Sequence, residues 1–145
     1  IAARVSMRMN LIAQKKAISV RFSGENAQIL GAEEMIENML ENLCDNAIKY
    51  SKENTAIRIS LFHENDYIVL QVQDEGIGIS EGDQQRVFER FFCVDKSRNK
   101  AINGVGLGRS IVKNIAHYHN ATLTLQSKLG VGTCFTIRFP KQKVL

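Results

Sequence analysis

Apolar residues recur along this chain with two different periods, and the change from one to the other marks out its elements. Between residues 2 and 16, Val5, Met9, Leu11 and Ile12 stand among basic residues, which predicts a helix packed by one side. AISVRF at 17–22 reads as a strand. From about Ala32 to Tyr50, Met35, Ile36, Met39, Leu40, Leu43, Cys44, Ala47 and Ile48 keep near-helical spacing and predict a long second helix. The period then drops to two. Ile57, Ile59 and Leu61 alternate with Arg58 and Ser60, and Ile68, Leu70 and Val72 share one face, so 55–74 is predicted to be an antiparallel hairpin.

SEGDQQRVFERFF opens with Ser80, a good N-cap, and predicts a short helix. Residues 93–103, CVDKSRNKAIN, are polar and without period, which predicts a mobile loop of unusual length for a compact domain. Helical spacing returns through Leu107, Ile111, Ile115 and Ala116. ATLTLQ and CFTIRF then form two strands around the turn KLGVGT, and the sole proline, Pro140, stops the last of them. Helices interleaved with mostly antiparallel strand pairs predict an α+β fold: a two-layer sandwich whose mixed, mostly antiparallel sheet is covered by helices on one face.

Composition narrows the class. With 145 residues, 44% of them hydrophobic and 23% charged, the chain suits one globular domain spanning 1–145. No apolar run is long enough to cross a bilayer, and the opening Ile1 predicts a piece of a longer protein. Cys44, Cys93 and Cys134 are widely spaced, which argues against a disulfide framework or zinc site and for a reducing compartment. The net charge of +4 does not by itself imply nucleic acid. Yet seven Lys or Arg lie between Arg86 and Lys113 against only Glu89 and Asp95, a local excess that suits a polyanionic ligand or a solvated basic face.

Three constellations carry candidate chemistry. In DEGIGI, Asp74 falls on the apolar face of its strand, where a carboxylate needs a hydrogen-bond partner. Gly76 and Gly78 let the backbone turn and a flat ligand approach, with Ile77 and Ile79 as apolar walls. These residues fit a pocket reading an exocyclic amine, or a turn whose Asp binds nearby amides. On the long helix, Glu34, Glu37, Glu41 and Asp45 gather on the side predicted to face solvent, while Asn42, Asn46 and Lys49 form a border stripe. Asn oxygens are hard ligands of the kind Mg²⁺ accepts, though a polar border with nothing bound has the same pattern. In GVGLGRSIV, Gly104, Gly106 and Gly108 lead into a helix whose unpaired amides favour an anion, or simply permit close packing.

Taken together, these segments resemble the GHKL ATP-binding fold, and within it the catalytic domain of bacterial sensor histidine kinases. ENLCDNAIKYS is similar to the N box, DEGIGIS to the first glycine box, VFERFF to the phenylalanine box, GVGLG to the second glycine box and GTCFTIRFP to the final hairpin. The order and spacing match from about residue 17 to 140. The resemblance implies ATP and Mg²⁺ as cofactors: Asn46 with Asn42 on the metal, Lys49 on phosphate, Tyr50 beside the base, and Asp74 on the adenine amine within a pocket shaped by Gly76, Gly78 and Ile79. It further implies Arg90 and Lys96 on phosphate oxygens. Residues 93–103 become the ATP lid, with Gly104, Gly106, Leu107 and Gly108 closing on the phosphates. Phe88, Phe91 and Phe92 are expected as core and lid anchors. Val105, Arg109 and Cys93 depart from the common pattern.

True ATPases of this fold place a water-activating Glu four residues before the metal-binding Asn. Here that position is Asn42, which is no useful base, and Glu41 is turned about 100° away. The resemblance therefore implies transfer of the γ-phosphoryl group to a histidine on a dimerisation domain of the same protein, with a response regulator receiver domain downstream. Asn42, Asn46, Lys49 and Arg90 would serve the transfer. His63, His117 and His119 lack the acceptor motif. The expected setting is the cytoplasmic domain of an inner-membrane-anchored sensor, with no nucleic-acid partner. The alternatives are a non-catalytic ATP-binding regulatory module or a GHKL ATPase.

Overall fold

The computed structural model describes residues 1–25, 27, 29, 31–84 and 107–141, with 107–110 described by their backbone alone. Helix α1 (Ala2–Ala13) runs into a single 3₁₀ turn at Gln14–Lys16, closed by Ala17 in the left-handed region at φ 56°. Its packed stripe is Val5, Met9 and Ala13, four residues apart. Leu11, expected on the packing side, is 67% exposed, and Ile12 is also exposed, because both lie off that stripe. The tight turn at Ala17 shifts the first strand, β1, to Ser19–Gly24.

Helix α2 (Glu33–Tyr50) has Glu33 and Glu34 in its first turn and Lys49 in its last, both matched to the helix dipole. Strands β2 (Ala56–Glu64) and β3 (Tyr67–Gln73) form the expected hairpin, turning at Asn65 with φ 52°. A short helix, α3, is described over Glu81–Gln84, and α4 spans Leu107–Tyr118. Strands β4 (Thr122–Lys128) and β5 (Gly132–Pro140) close the fold.

The sheet order is β1-β2-β3-β5-β4. β1 pairs with β2 in parallel, Val20 opposite Ile57, and the required crossover is the segment carrying α2. The remaining pairs are antiparallel, with Leu70 opposite both Leu61 and Ile137. The fold class is thus the α+β arrangement expected, with a five-stranded mixed sheet among the described residues.

One core fills the space between the sheet and its helices. Ile57, Ile59, Ile68, Leu70, Val72, Phe135 and Ile137 from the strands meet Met39, Leu40, Leu43 and Ala47 of α2 and Val112 and Ile115 of α4. Alternation predicts that Val69 faces outward, yet it is fully buried between its register neighbours Phe62 and Arg138. The Arg138 guanidinium is held there by Glu64 at 3.3 Å.

The acidic side of α2 is not simply solvated. Arg4 of α1 reaches Glu33 and Glu37, each at 3.2 Å, while Arg8 reaches Glu37 at 3.0 Å and also Glu41. The basic residues of the opening helix therefore cover part of the carboxylate row that the helical wheel assigns to solvent.

Candidate functional site

The C-terminal turn of α2, the DEGIGI corner and the start of β5 come together at one end of the sheet. Lys16 secures the helix end by donating to the carbonyl oxygens of Ile48 and Lys49, at 3.0 and 2.9 Å. These are carbonyls that the helix itself leaves without partners. The chain leaving α2 then bonds the corner: Ile77 N donates to Tyr50 O at 3.2 Å, and Ser51 forms a bridge with Gly76. A Cβ on Gly76 would overlap the Tyr50 carbonyl, so glycine is what allows this approach. Gly78 has φ +73°, and a side chain there would strike the Lys128 carbonyl.

Asp74 is 8% exposed and bonded on both sides of the corner. Its Oδ1 accepts from Gly76 N at 2.9 Å and Thr133 N at 3.2 Å, and its own amide donates to Thr133 O at 2.9 Å. The Gly76 bond is the side-chain turn that the DEG sequence allows, and the same carboxylate also lines a cleft.

That cleft, about 330 Å³ including its open mouth, is lined by Asn46, Ala47, Tyr50, Asp74, Ile77, Gly78, Ile79, Thr133 and Phe135. Asn46, Tyr50, Asp74, Gly78 and Ile79 are among the residues singled out from sequence, and they share this one space. Gly76 stands behind it, at the bend. Thr133, Phe135 and Ala47 were not singled out. Thr133 is legible only through the turn before it, where Gly132 (φ +150°) lets the backbone pass beside Asp74.

Asn42 and Lys49 take different positions. Asn42 does not line the cleft; its amide nitrogen donates to Asn38 O at 2.7 Å and to Asn38 Oδ1 at 2.8 Å. Lys49 Nζ lies 3.1 Å from Asp45 Oδ2 along the helix. Arg90, Lys96, Gly104, Gly106, the 93–103 lid and Phe88, Phe91 and Phe92 lie outside the described residues. Leu107 and Gly108 open α4, with only their backbone described.

The two cysteines among the described residues, Cys44 and Cys134, are not reactive thiolates. Burial, helped by the nearby Asp45 carboxylate, pushes the Cys44 thiol up to about 12. Burial also raises Cys134. Among the described residues no three His, Cys, Asp or Glu side chains form a cluster fit for a metal ion. The donors at hand are the amides of α2, which suit an ion that draws most of its oxygens from phosphates and water.

A family described as "Histidine kinase-, DNA gyrase B-, and HSP90-like ATPase" matches residues 31–143. The sensor-like histidine kinase SenX3 of Mycolicibacterium smegmatis is 39% identical over 142 residues, covering 97% of this chain and 37% of its own length. The sensor histidine kinase YkoH of Bacillus subtilis is 40% identical over 141 residues, covering 97% of this chain and 31% of its own. The chain thus spans about a third of the length of these curated relatives. A solved structure of the mycobacterial sensor histidine kinase MprB superposes with a TM-score of 0.82 at 25% identity, covering 98% of this chain and 97% of that one. Sheet order, cleft and these likenesses agree: the chain belongs to the histidine kinase-, DNA gyrase B- and HSP90-like ATPase family, as a GHKL catalytic domain of the bacterial histidine kinase type.

Proposed function

We propose that this chain is a single domain, residues 1–145, that binds Mg-ATP and supplies its γ-phosphoryl group to a histidine on a dimerisation domain of the same protein. The observation that carries this reading is the convergence of Asp74, Asn46 and Tyr50 on one cleft, with the Asp74 carboxylate oriented by the amides of Gly76 and Thr133. Adenine enters that cleft with its amine toward Asp74, between Ile79 and Tyr50. Asn46 stands on the helix at the cleft wall, where its amide oxygen can serve the ion on the phosphates. Asn42 has its nitrogen committed to Asn38, which leaves its oxygen as the ligand atom. Lys49 would exchange Asp45 for a phosphate. When bound, Mg²⁺ neutralises phosphate charge that would otherwise repel a nucleophile.

The lid roles of Arg90, Lys96, Gly104, Gly106, Leu107 and Gly108 are part of the same proposal. So is the setting: the cytoplasmic part of a membrane-anchored sensor that passes phosphate to a response regulator. Among the described residues no helix is long and apolar enough to cross a membrane.

Transfer is favoured over hydrolysis by the chemistry of α2. The residue four before Asn46 is Asn42, and the adjacent Glu41 is paired with Arg8. Neither of these two positions therefore offers a carboxylate to activate water. A histidine nitrogen attacks the γ-phosphorus, the bond to the β–γ bridging oxygen breaks, and ADP leaves. Labelled ATP with a separately supplied acceptor-histidine domain tests this. Acid-labile label on that domain is expected; nucleotide binding without transfer would favour a regulatory module.

A further inference from the structure

Ser127 of β4 lies within hydrogen-bond distance of three groups at the back of the cleft: Ile79 N at 2.7 Å, Gly132 O at 3.0 Å and Thr133 Oγ1 at 2.8 Å. The first can only donate and the second can only accept. A serine hydroxyl has one proton and two lone pairs. All three contacts are satisfied together in only one arrangement: Ile79 N–H donates to Ser127, Ser127 donates to Gly132 O, and Thr133 donates its proton to Ser127. The Thr133 hydroxyl then presents lone pairs alone to its remaining surroundings.

Thr133 lines the cleft beside Asp74, and its amide donates to Asp74 Oδ1. Ser127 is opposite Thr133 in the β4–β5 register, on the same helix-covered face as Leu125 and Phe135. Two side chains at the base end of the cleft therefore offer acceptors, one by its charge and the other by the direction in which its proton is drawn. An acceptor pair welcomes an amino group and repels a carbonyl oxygen.

We propose that Ser127 is a specificity-determining positioning residue: by taking the Thr133 hydroxyl proton, it keeps the base subsite all-acceptor and excludes 6-oxo purines. This rests on the reading of the cleft as an adenine-nucleotide site. Ser127 itself touches no nucleotide and acts through Thr133.

ATP and ITP, which differ at the purine 6-position, are the probes, titrated into the 145-residue chain. The wild type should prefer ATP. Ser127→Ala frees the Thr133 hydroxyl to donate toward a 6-oxo group and should lower the ATP-to-ITP affinity ratio about tenfold. Ser127→Thr, which retains a hydroxyl, should restore the ratio. In a Thr133→Val background, Ser127→Ala should leave the ratio unchanged, a coupling that a merely structural role would not produce. Thr133→Val alone should also lower the ratio; an unchanged ratio there overturns the proposal even if Ser127→Ala fails to fold. A wild type that discriminates while Ser127→Ala keeps the full ratio overturns this inference but not the nucleotide site. A wild type that binds neither nucleotide overturns both.

Discussion

The carbonyl oxygen of Asp74 occupies the position that a Cβ on Gly132 would need. Gly132 also has φ +150°, which L side chains rarely adopt. A methyl group there must push β5 away from the strand end that carries Asp74, breaking the pair of bonds between Asp74 and Thr133. Gly132→Ala should therefore weaken ATP binding at least tenfold, since losing one well-formed bond already costs about that much. Gly130 provides the control. It has φ +81° but open space around its α-carbon, so Gly130→Ala should cost about 1–2 kcal/mol of stability in a urea titration while leaving ATP affinity unchanged.

Asp74→Asn separates recognition from folding. The Asn oxygen can still accept from the amides of Gly76 and Thr133, so the corner should form and the melting temperature should change little. Its NH₂ group then replaces a carboxylate oxygen with a donor, facing the adenine amine. Affinity for ATP should fall about a hundredfold or more by calorimetry. GTP, which presents a carbonyl to the wild-type carboxylate, should bind the unaltered protein roughly 10⁴-fold more weakly than ATP. Comparable ATP and GTP affinities would remove Asp74 from the role given to it.

Most of the fold was legible because its elements carry strong periodic patterns. The 18 residues of α2 and the β2–β3 hairpin emerged close to their expected bounds. What escaped was set by partners distant in sequence. Leu11 looks as apolar as Met9, but only Met9 lies on the stripe that meets the core. Glu37 and Glu41 form a solvent row on a helical wheel until α1 is laid beside them with Arg4 and Arg8. The cleft was half legible for the same reason. Asp74 and Asn46 sit in motifs with distinctive spacing, whereas Thr133 enters only because β5 pairs with β3 and places it against Asp74.

Lys16 should matter more than its place in a polar turn suggests. Its ammonium holds two terminal carbonyls of α2, at 3.0 and 2.9 Å, one turn from the cleft residues Asn46 and Tyr50. Cations at a helix C-terminus and charge-assisted bonds are each stabilising, so Lys16→Met should cost about 1–2 kcal/mol by denaturant titration. The loss should come with only a modest weakening of ATP binding. A variant as stable as the wild type would show that the helix end is held by other means.

Cys44 gives the protein an alkaline liability with a definite sign. Burial, reinforced by Asp45, raises its thiol from 9.0 to about 12, so the folded chain keeps a proton that the unfolded chain releases. This contribution is fully present below about pH 9 and is lost as pH rises from there toward 12. Between pH 9 and pH 10 the stability advantage of wild type over Cys44→Ala should shrink by about 1 kcal/mol. Urea titrations of both proteins at the two pH values measure it, and a constant difference would show that the buried thiol ionises as readily as a free one.

The isolated chain should bind nucleotide yet leave no phosphate on itself. None of its three histidines lines the cleft. His63 and His117 are exposed on β2 and α4. His119 is committed at both ring nitrogens: Nε2 accepts from Ala32 N at 3.1 Å, so the proton resides on Nδ1, which donates to Ile115 O at 2.8 Å. A ring held in that way joins the start of α2 to the end of α4 and has no lone pair available for a phosphorus atom. Incubation with γ-labelled ATP should therefore leave the 145-residue chain unlabelled, while an added acceptor-histidine domain gains acid-labile phosphate. Stable phosphohistidine on this chain alone would refute the division of labour between a nucleotide-holding domain and a separate acceptor.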